Sequence, residues 1–138
     1  MQILVIFSTE VGTTKIVAQT LQKLLSAKDN TVVLYEVGKE RTPPNVLGTD
    51  LVLIGSPTYY NGELESKMAE FLSDYAPNLA PYKVAVFSLG DTAYEHFCGS
   101  AELLESWVTE HGGKLTVPTL QIDGYPDDQQ INEWVELI

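Results

Sequence analysis

The sequence predicts an α/β fold, a three-layer sandwich in which a five-stranded parallel sheet of strand order 2-1-3-4-5 carries helices on both faces. Short runs rich in Val, Ile and Leu, typical of buried parallel strands, alternate with segments of helical periodicity. Such alternation implies a parallel sheet covered by helices, and right-handed crossovers leave few strand orders. The strands are expected at 2–7, 31–36, 50–55, 83–88 and 115–122.

The first half of the chain begins with the strand at 2–7, followed by a hydroxyl-rich turn. The apolar residues from Ile16 to Leu25 then repeat with the period of an amphipathic helix. After the second strand, the connection 38–49 contains Thr42-Pro43-Pro44. Proline and the residue before it disfavour the helical conformation, so this connection is either a very short helix or an irregular crossover.

Three apolar stripes predict the remaining helices. The first runs from Leu64 to Tyr75 at positions i, i+4, i+7, i+8 and i+11. The second covers 101–108 and stops at Gly112-Gly113, a typical end signal. The third covers 131–138. All elements together form one domain over residues 1–138, a size that buries a sizeable core without disulfides or metals.

Composition excludes several classes of protein. The chain is 44% hydrophobic, yet no run reaches the roughly 20 apolar residues that a membrane span needs. No basic segment precedes the first apolar run, so we expect no secretory signal and a cytoplasmic location. The single cysteine, Cys98, excludes an internal disulfide framework and is expected to be a buried thiol.

The net charge of −11 argues against nucleic acid and anionic membranes as partners. Binding to either depends on clustered Lys and Arg side chains. A strongly acidic surface instead favours docking to a basic protein surface, although it also serves solubility.

The turn after the first strand is the candidate phosphate site. Ser8-Thr9-Glu10-Val11-Gly12-Thr13-Thr14 joins a strand to a helix start, where unpaired N–H groups and the helix dipole attract anions. Gly12 allows close backbone approach, and the threonines can donate hydroxyl hydrogen bonds. The turn lacks the lysine of a P-loop and the three glycines of the dinucleotide fingerprint. The hydroxyls could alternatively be ordinary helix caps.

Two further turns should lie beside it, because ligands of such sheets bind where the winding reverses, beyond the carboxyl ends of strands 1 and 3. The turn after strand 3 carries Tyr59 and Tyr60, candidate stacking rings, and the turn signal Asn61-Gly62. The turn after strand 4, Ser88 to Gly99, offers Tyr94 as a stacking ring. A phosphate turn opposite aromatic rings suits a flat heterocycle on a phosphorylated tail.

In this fourth-strand turn Asp91 could accept a hydrogen bond from a ring N–H, or simply cap a turn. Phe97 and Cys98 are expected to point into the core.

These three loops, in this order, resemble flavodoxin, the FMN-binding electron carrier that is itself the standard example of this strand order and site position. The most specific segments are 57–64, Gly90 to Gly99 and Ile122-Asp123-Gly124. The final strand carries no long insertion, which is similar to the short-chain type. The resemblance implies a monomeric, low-potential one-electron carrier with non-covalent FMN that shuttles between a reductase donor and an acceptor enzyme, and is not itself an enzyme.

The resemblance also implies individual roles. Thr9 to Thr14 would hold the phosphate, Thr58 the ribityl side, Tyr59 and Tyr94 the two ring faces, and Asp91 the pyrimidine edge. The Tyr60–Asn61 peptide would serve the flavin N5. The expected cofactor-binding set is Ser8, Thr9, Glu10, Val11, Gly12, Thr13, Thr14, Pro57, Thr58, Tyr59, Tyr60, Asn61, Gly62, Ser88, Leu89, Gly90, Asp91, Tyr94, Phe97 and Cys98, with no catalytic or metal-ligating residue.

Acidic residues around the site are expected to dock basic-surfaced redox proteins. They are Glu10, Glu63, Glu65, Asp91, Glu95, Asp123, Asp127 and Asp128. Such encounters are typically small and weak, and charge steers them.

Three other functions share the topology. An NAD(P)H-dependent FMN or quinone reductase would need a basic second nucleotide site, and the chain has a single arginine, Arg41. A response-regulator receiver would need metal-binding carboxylates, but Ser8-Thr9 and Gly55-Ser56 stand in their places. An accessory flavodoxin dedicated to one enzyme would have the same loops as a general carrier.

Overall fold

The computed structural model describes residues 1–59, 61–93 and 97–138. The helices are α1 (Thr13–Ser26), α2 (Ser66–Asp74), α3 (Gly99–Glu110) and α4 (Asp128–Val135). The strands are β1 (Gln2–Phe7), β2 (Thr31–Glu36), β3 (Leu51–Pro57), β4 (Lys83–Gly90), β5 (Lys114–Leu115) and β6 (Leu120–Asp123). The described helices and strands alternate as the apolar runs predict.

The sheet is parallel, with the order β2-β1-β3-β4-β5, and β6 also pairs with β4. The predicted α/β class and strand order are therefore confirmed. One detail differs, because the expected fifth strand over 115–122 is split in two. Leu115 pairs with Val84 and Leu120 with Phe87. The stretch between the two paired residues is therefore two residues longer on the β5–β6 side, 116–119, than on β4, 85–86. Pro118 lies in this break and lacks the N–H that a strand needs.

The connection between β2 and β3 contains no helix, so the irregular crossover is the correct alternative for 38–49. Two tyrosines hold it in place, Tyr35 on β2 and Tyr75 at the end of α2. The Tyr35 hydroxyl donates to the Thr42 carbonyl at 2.9 Å, and the Tyr75 hydroxyl donates to the Pro44 carbonyl at 2.7 Å. Burial raises the pKa of Tyr75 to about 12, which keeps this donor protonated.

Two hydrophobic cores flank the sheet. On β1, Ile3, Val5 and Phe7 face α1 and α4, while Leu4 and Ile6 belong to the other core, under α2 and α3. Alternate residues of one strand thus pack into opposite cores. Both faces of the strand are buried, which is why its sequence is continuously apolar.

Within the described ranges, no helix combines the length and apolar character needed to cross a membrane.

Candidate functional site

A cleft of about 180 Å³ opens at the carboxyl ends of β1, β3 and β4. This is the edge of the sheet where the strand order reverses and where ligands of such folds bind. The structure places residues of all three predicted turns around it. The lining consists of Thr9, Glu10, Val11, Thr13, Thr14, Pro57, Thr58, Leu89, Gly90, Asp91 and Gly124.

The turn before α1 leaves the helix start uncapped. Gly12 occupies the N-cap position with φ 99, no side chain makes a capping hydrogen bond there, and the first turn holds no acidic residue. By contrast, Glu65 caps α2 and Asp127 caps α4 with their carboxylates. The Gly12 N–H donates to Thr9 Oγ1 at 3.0 Å. The first N–H groups of α1 itself have no internal acceptor among the described residues, and Thr13 and Thr14 line the cleft, as a phosphate site requires.

Two side chains at this turn face solvent. Val11 is 87% exposed, and Glu10 is exposed as well, so its carboxylate need not sit against a bound anion. The nearby Lys15 pairs with Glu36 at 3.4 Å. The turn thus offers backbone N–H groups together with the hydroxyls of Thr13 and of the buried Thr14.

A network of buried hydroxyls lies beneath the cleft. The Thr58 hydroxyl donates to Ser100 Oγ at 2.8 Å, and Ser100 Oγ lies 2.5 Å from Ser88 Oγ. Ser56 Oγ accepts from the Ser8 hydroxyl at 3.3 Å and donates to the Pro57 carbonyl. The Ser100 N–H donates to Thr58 Oγ1 at 3.2 Å, so Thr58 serves the N-terminus of α3. The network connects the ends of β1, β3 and β4 and holds Thr58 in place.

The loop after β3 forms a short hairpin. Thr58 and Leu64 make an antiparallel bridge, the Tyr59 N–H donates to the Glu63 carbonyl at 2.9 Å, and the Gly62 N–H donates to the Tyr59 carbonyl at 2.8 Å. Gly62 adopts φ 86, a left-handed conformation typical of the glycine that closes such loops. The Asn61-Gly62 turn signal is therefore confirmed.

Two side chains of this hairpin differ in environment. The half-buried Tyr59 points its hydroxyl toward Ser66 Oγ, 2.7 Å away in the first turn of α2. Asn61 is exposed, and its Oδ1 accepts from the Glu63 N–H. Tyr59, Asn61 and Gly62 lie beside the lined cleft rather than in its wall.

Gly62 packs closely against Gly99, the first residue of α3. A Cβ at position 99 would lie 2.4 Å from the Gly62 carbonyl oxygen and 2.8 Å from its Cα. A glycine at 99 is therefore required for the hairpin to rest on α3, and this contact fixes its position relative to the rest of the site.

The loop after β4 is anchored by Asp123. Its two carboxylate oxygens accept from the Thr92 N–H at 3.0 Å and the Thr92 hydroxyl at 2.9 Å, and the Gly124 N–H donates to the Gly90 carbonyl. Asp91 lines the cleft, yet its Oδ1 accepts from the Ala93 N–H at 2.8 Å, as a turn cap does. Asp91 thus performs the capping role that the sequence left open, while remaining at the cleft.

Cys98 lies below the cleft rather than in it. The residue is 2% exposed, and its thiol points at the carbonyls of Ser88 and Ile122 at 3.6 and 3.8 Å. Burial raises the pKa of this thiol. The expected buried thiol is confirmed. Cys98 does not line the cleft, and its predicted place in the cofactor-binding set stays a prediction. Ser8 and Ser88 are likewise fully buried, and Phe97 is half-buried.

Glu65 was expected among the acidic docking residues, and this expectation is wrong. Its carboxylate is buried, with the residue 2% exposed, because it accepts from the N–H groups of Lys67 and Met68 at 3.1 and 3.2 Å. It stabilises the start of α2 and cannot meet a partner.

Two predicted stacking rings, Tyr60 and Tyr94, lie outside the described residues, as does Glu95. Their roles stay predictions. Two residues at the site were missed as site residues: Gly124, which lines the cleft, and Lys67, whose ammonium donates to the Thr9 carbonyl. The motif Asp123-Gly124 pointed toward the first, while no local pattern marks a lysine in the first turn of α2.

No group of three or more side chains capable of holding a metal occurs in the described part of the chain.

Comparison with known proteins gives a consistent result. The family model described as Flavodoxin matches residues 5–136. The crystal structure of oxidised Flavodoxin 2 from Bacillus cereus superimposes with a TM-score of 0.90, at 31% identity, covering 99% of this chain and 97% of that one. A probable flavodoxin 2 of Bacillus subtilis is 28% identical over 97% of this chain and 89% of its own.

A longer relative is also similar. The NADPH sulfite reductase flavoprotein alpha-component of Salmonella typhimurium is 31% identical over 88% of this chain but only 21% of its own length. This chain is therefore similar to one section of a larger redox protein as well as to small proteins of its own size.

Proposed function

The chain belongs to the flavodoxin family, and we propose that it carries single electrons at low potential between redox proteins on non-covalently bound FMN. The observation that carries the proposal is the uncapped start of α1, which opens with its threonine hydroxyls onto a cleft at the reversal point of the sheet. In such a place the phosphate of FMN finds N–H donors and a favourable helix dipole.

The residues of the cleft fit FMN. The N–H groups and hydroxyls of the Thr9–Thr14 turn would hold the phosphate, and Thr58, held by Ser100, would face the ribityl chain. Pro57 and Leu89 supply apolar surface in the wall of the cleft, and Asp91 offers polar groups there. When bound, FMN supplies the one-electron chemistry, while the protein binds it, orients it and excludes water.

The acidic surface supports docking to basic partners. The chain carries a net charge of −11, and the predicted docking residues that are exposed include Glu10, Glu63, Asp123, Asp127 and Asp128. Charges of one sign at a transfer site steer encounters with oppositely charged proteins. We propose basic-surfaced donor and acceptor proteins for a monomeric carrier, and a cytoplasmic location for the exchange.

The alternatives have less support. A reductase that takes NAD(P)H would need a basic second nucleotide site, yet Arg41 lies in the 38–49 crossover and does not line the cleft. An accessory flavodoxin serving a single enzyme remains compatible with the same cleft, because fold and site alone do not select a partner.

The test is an anaerobic titration of the FMN-loaded protein with dithionite, followed by visible absorbance. The proposal predicts reduction in two resolved one-electron steps and no turnover of NADPH. A single two-electron step, or steady NADPH oxidation by the isolated protein, would instead identify a reductase.

A matched pair of variants tests the phosphate turn. Thr13→Val removes a hydroxyl that lines the cleft, and a hydrogen bond to a charged group is worth about 1.5–3 kcal/mol, so FMN affinity should fall at least about tenfold. Thr20→Val makes the same change on α1 away from the cleft, where the hydroxyl donates to the Ile16 carbonyl. It should leave the affinity unchanged.

A further inference from the structure

We propose that Lys67 is a positioning residue for the phosphate turn, and that by holding the Thr9 carbonyl it makes the site selective for the phosphorylated form of the flavin. This inference rests on the proposed function, since it concerns the same cleft. It adds a cationic residue from α2 to a site whose other phosphate-binding groups all come from the turn before α1.

Lys67 is held over the phosphate turn by contacts with three segments. Its Nζ donates to the Thr9 carbonyl and lies 3.9 Å from Glu65 Oε1. The Glu65 side chain is only 3% exposed and is itself fixed as the cap of α2. The aliphatic stem passes Gly38, where a Cβ would lie 3.1 Å from Lys67 Cδ. The ammonium thus has a defined position, although its side chain is partly open to solvent.

The contact with Thr9 determines the direction of the next N–H group. Peptide bonds are planar, and the Thr9–Glu10 peptide is trans, so its C=O and N–H point in opposite directions. When Lys67 holds the carbonyl on one side, the Glu10 N–H is directed to the other side. Thr9 and Glu10 both line the cleft, and we assign this N–H to the phosphate.

The charge of Lys67 adds to the effect of its position. A charged donor on a carbonyl polarises the peptide and strengthens its N–H as a donor. The two other lysines near the turn are engaged elsewhere, because Lys15 and Lys39 lie 3.4 and 3.6 Å from the carboxylate of Glu36. Lys67 is therefore the lysine that acts on the turn directly within the described part of the chain.

The test compares the affinities of FMN and riboflavin, which differ only in the phosphate, for the full chain and its variants. Lys67→Met keeps the length of the stem but removes the donor and the charge. We expect FMN to bind about tenfold more weakly, in keeping with a weakened bond to a charged group. Riboflavin should change by less than about threefold, because no phosphate is present to meet the Glu10 N–H.

Two further variants separate contact from charge. Lys67→Arg retains a charged donor and should keep most of the preference for FMN. Lys39→Met removes the same charge from a neighbouring lysine that does not contact Thr9, and it should leave the preference unchanged at physiological salt. Urea unfolding of each cofactor-free variant shows whether the fold is intact.

The outcomes distinguish the inference from the proposed function. Equal losses for both flavins in Lys67→Met, no loss at all, or an equal loss in Lys39→Met would overturn the inference while wild-type FMN binding still supports the proposed function. Failure of the wild-type protein to bind FMN would overturn both. A selective loss of FMN affinity in Lys67→Met alone supports the role of Lys67.

Discussion

Gly99→Ala should change the stability of the protein in two opposite ways, through helix propensity and through packing. The structure predicts that the loss in packing is larger, so the free energy of unfolding should fall. In the first turn of α3, alanine should stabilise the helix by roughly 0.5–1 kcal/mol over glycine. However, the new Cβ would lie 2.4 Å from the Gly62 carbonyl oxygen, where carbon–oxygen contacts are normally no shorter than about 3.3 Å. The hairpin carrying Gly62 must therefore retreat by roughly 1 Å.

Overpacking of this kind costs about 1–3 kcal/mol, so after the gain in helix propensity a net loss of about 0–2.5 kcal/mol is expected, centred near about 1 kcal/mol. The assay is urea unfolding of the cofactor-free protein, with Ser106→Ala on the exposed side of α3 as control, which should be neutral or slightly stabilising. Gly99→Ala should also weaken FMN binding, because the displaced hairpin borders the cleft. A Gly99→Ala variant more stable than the wild type would refute the close packing of α3 against the hairpin.

Three further predictions concern single side chains. Tyr75→Phe removes the hydrogen bond to Pro44 and should cost about 1 kcal/mol of unfolding free energy at neutral pH. Because burial raises the folded pKa of Tyr75 to about 12, the wild type should lose stability as pH rises from about 10 through 12. The Tyr75→Phe variant should lose less stability over this range, and an equally steep loss would contradict the prediction. Glu65→Ala removes the cap of α2 and should lower the free energy of unfolding by about 1 kcal/mol. The control Glu70→Ala changes an exposed residue of the same helix and should be near neutral, and equal effects of the two substitutions would argue against the cap. Cys98 should resist a thiol reagent in native buffer at neutral pH and react in urea, and rapid native labelling would show that the thiol is accessible.

Regular elements of this fold are predictable because their signals are local. Each central strand is apolar on both faces, as β1 shows, and the turn before α1 combines a left-handed Gly12 with threonines. The sequence predicts the split of the last strand less clearly. Pro118 signals it, but a single proline in an otherwise apolar run permits either an edge strand or a break.

The burial of individual charged side chains and the contacts between distant residues were not predictable from sequence. Glu63 and Glu65 are equivalent in the sequence pattern, yet the first is exposed and the second is buried as a cap. Lys67 and Thr9 are 58 residues apart in the sequence, and hydrophobic periodicity does not predict a contact between them. The close packing of Gly99 on Gly62 is also a property of two loops meeting in space. Site geometry of this kind requires the three-dimensional arrangement.

Adding FMN to the cofactor-free protein and following the backbone amide resonances by NMR tests most directly whether the turn before α1 is the phosphate site. We expect one FMN to bind per chain, with the largest shifts at the amides of residues 10–15 and clear shifts in the hairpin after β3. A larger groove of about 1000 Å³ lies at the opposite end of the sheet, lined by Met1, Tyr82 and Ile138 among others. Shifts confined to that groove, or no binding at all, would contradict the assignment of the turn before α1 as the phosphate site.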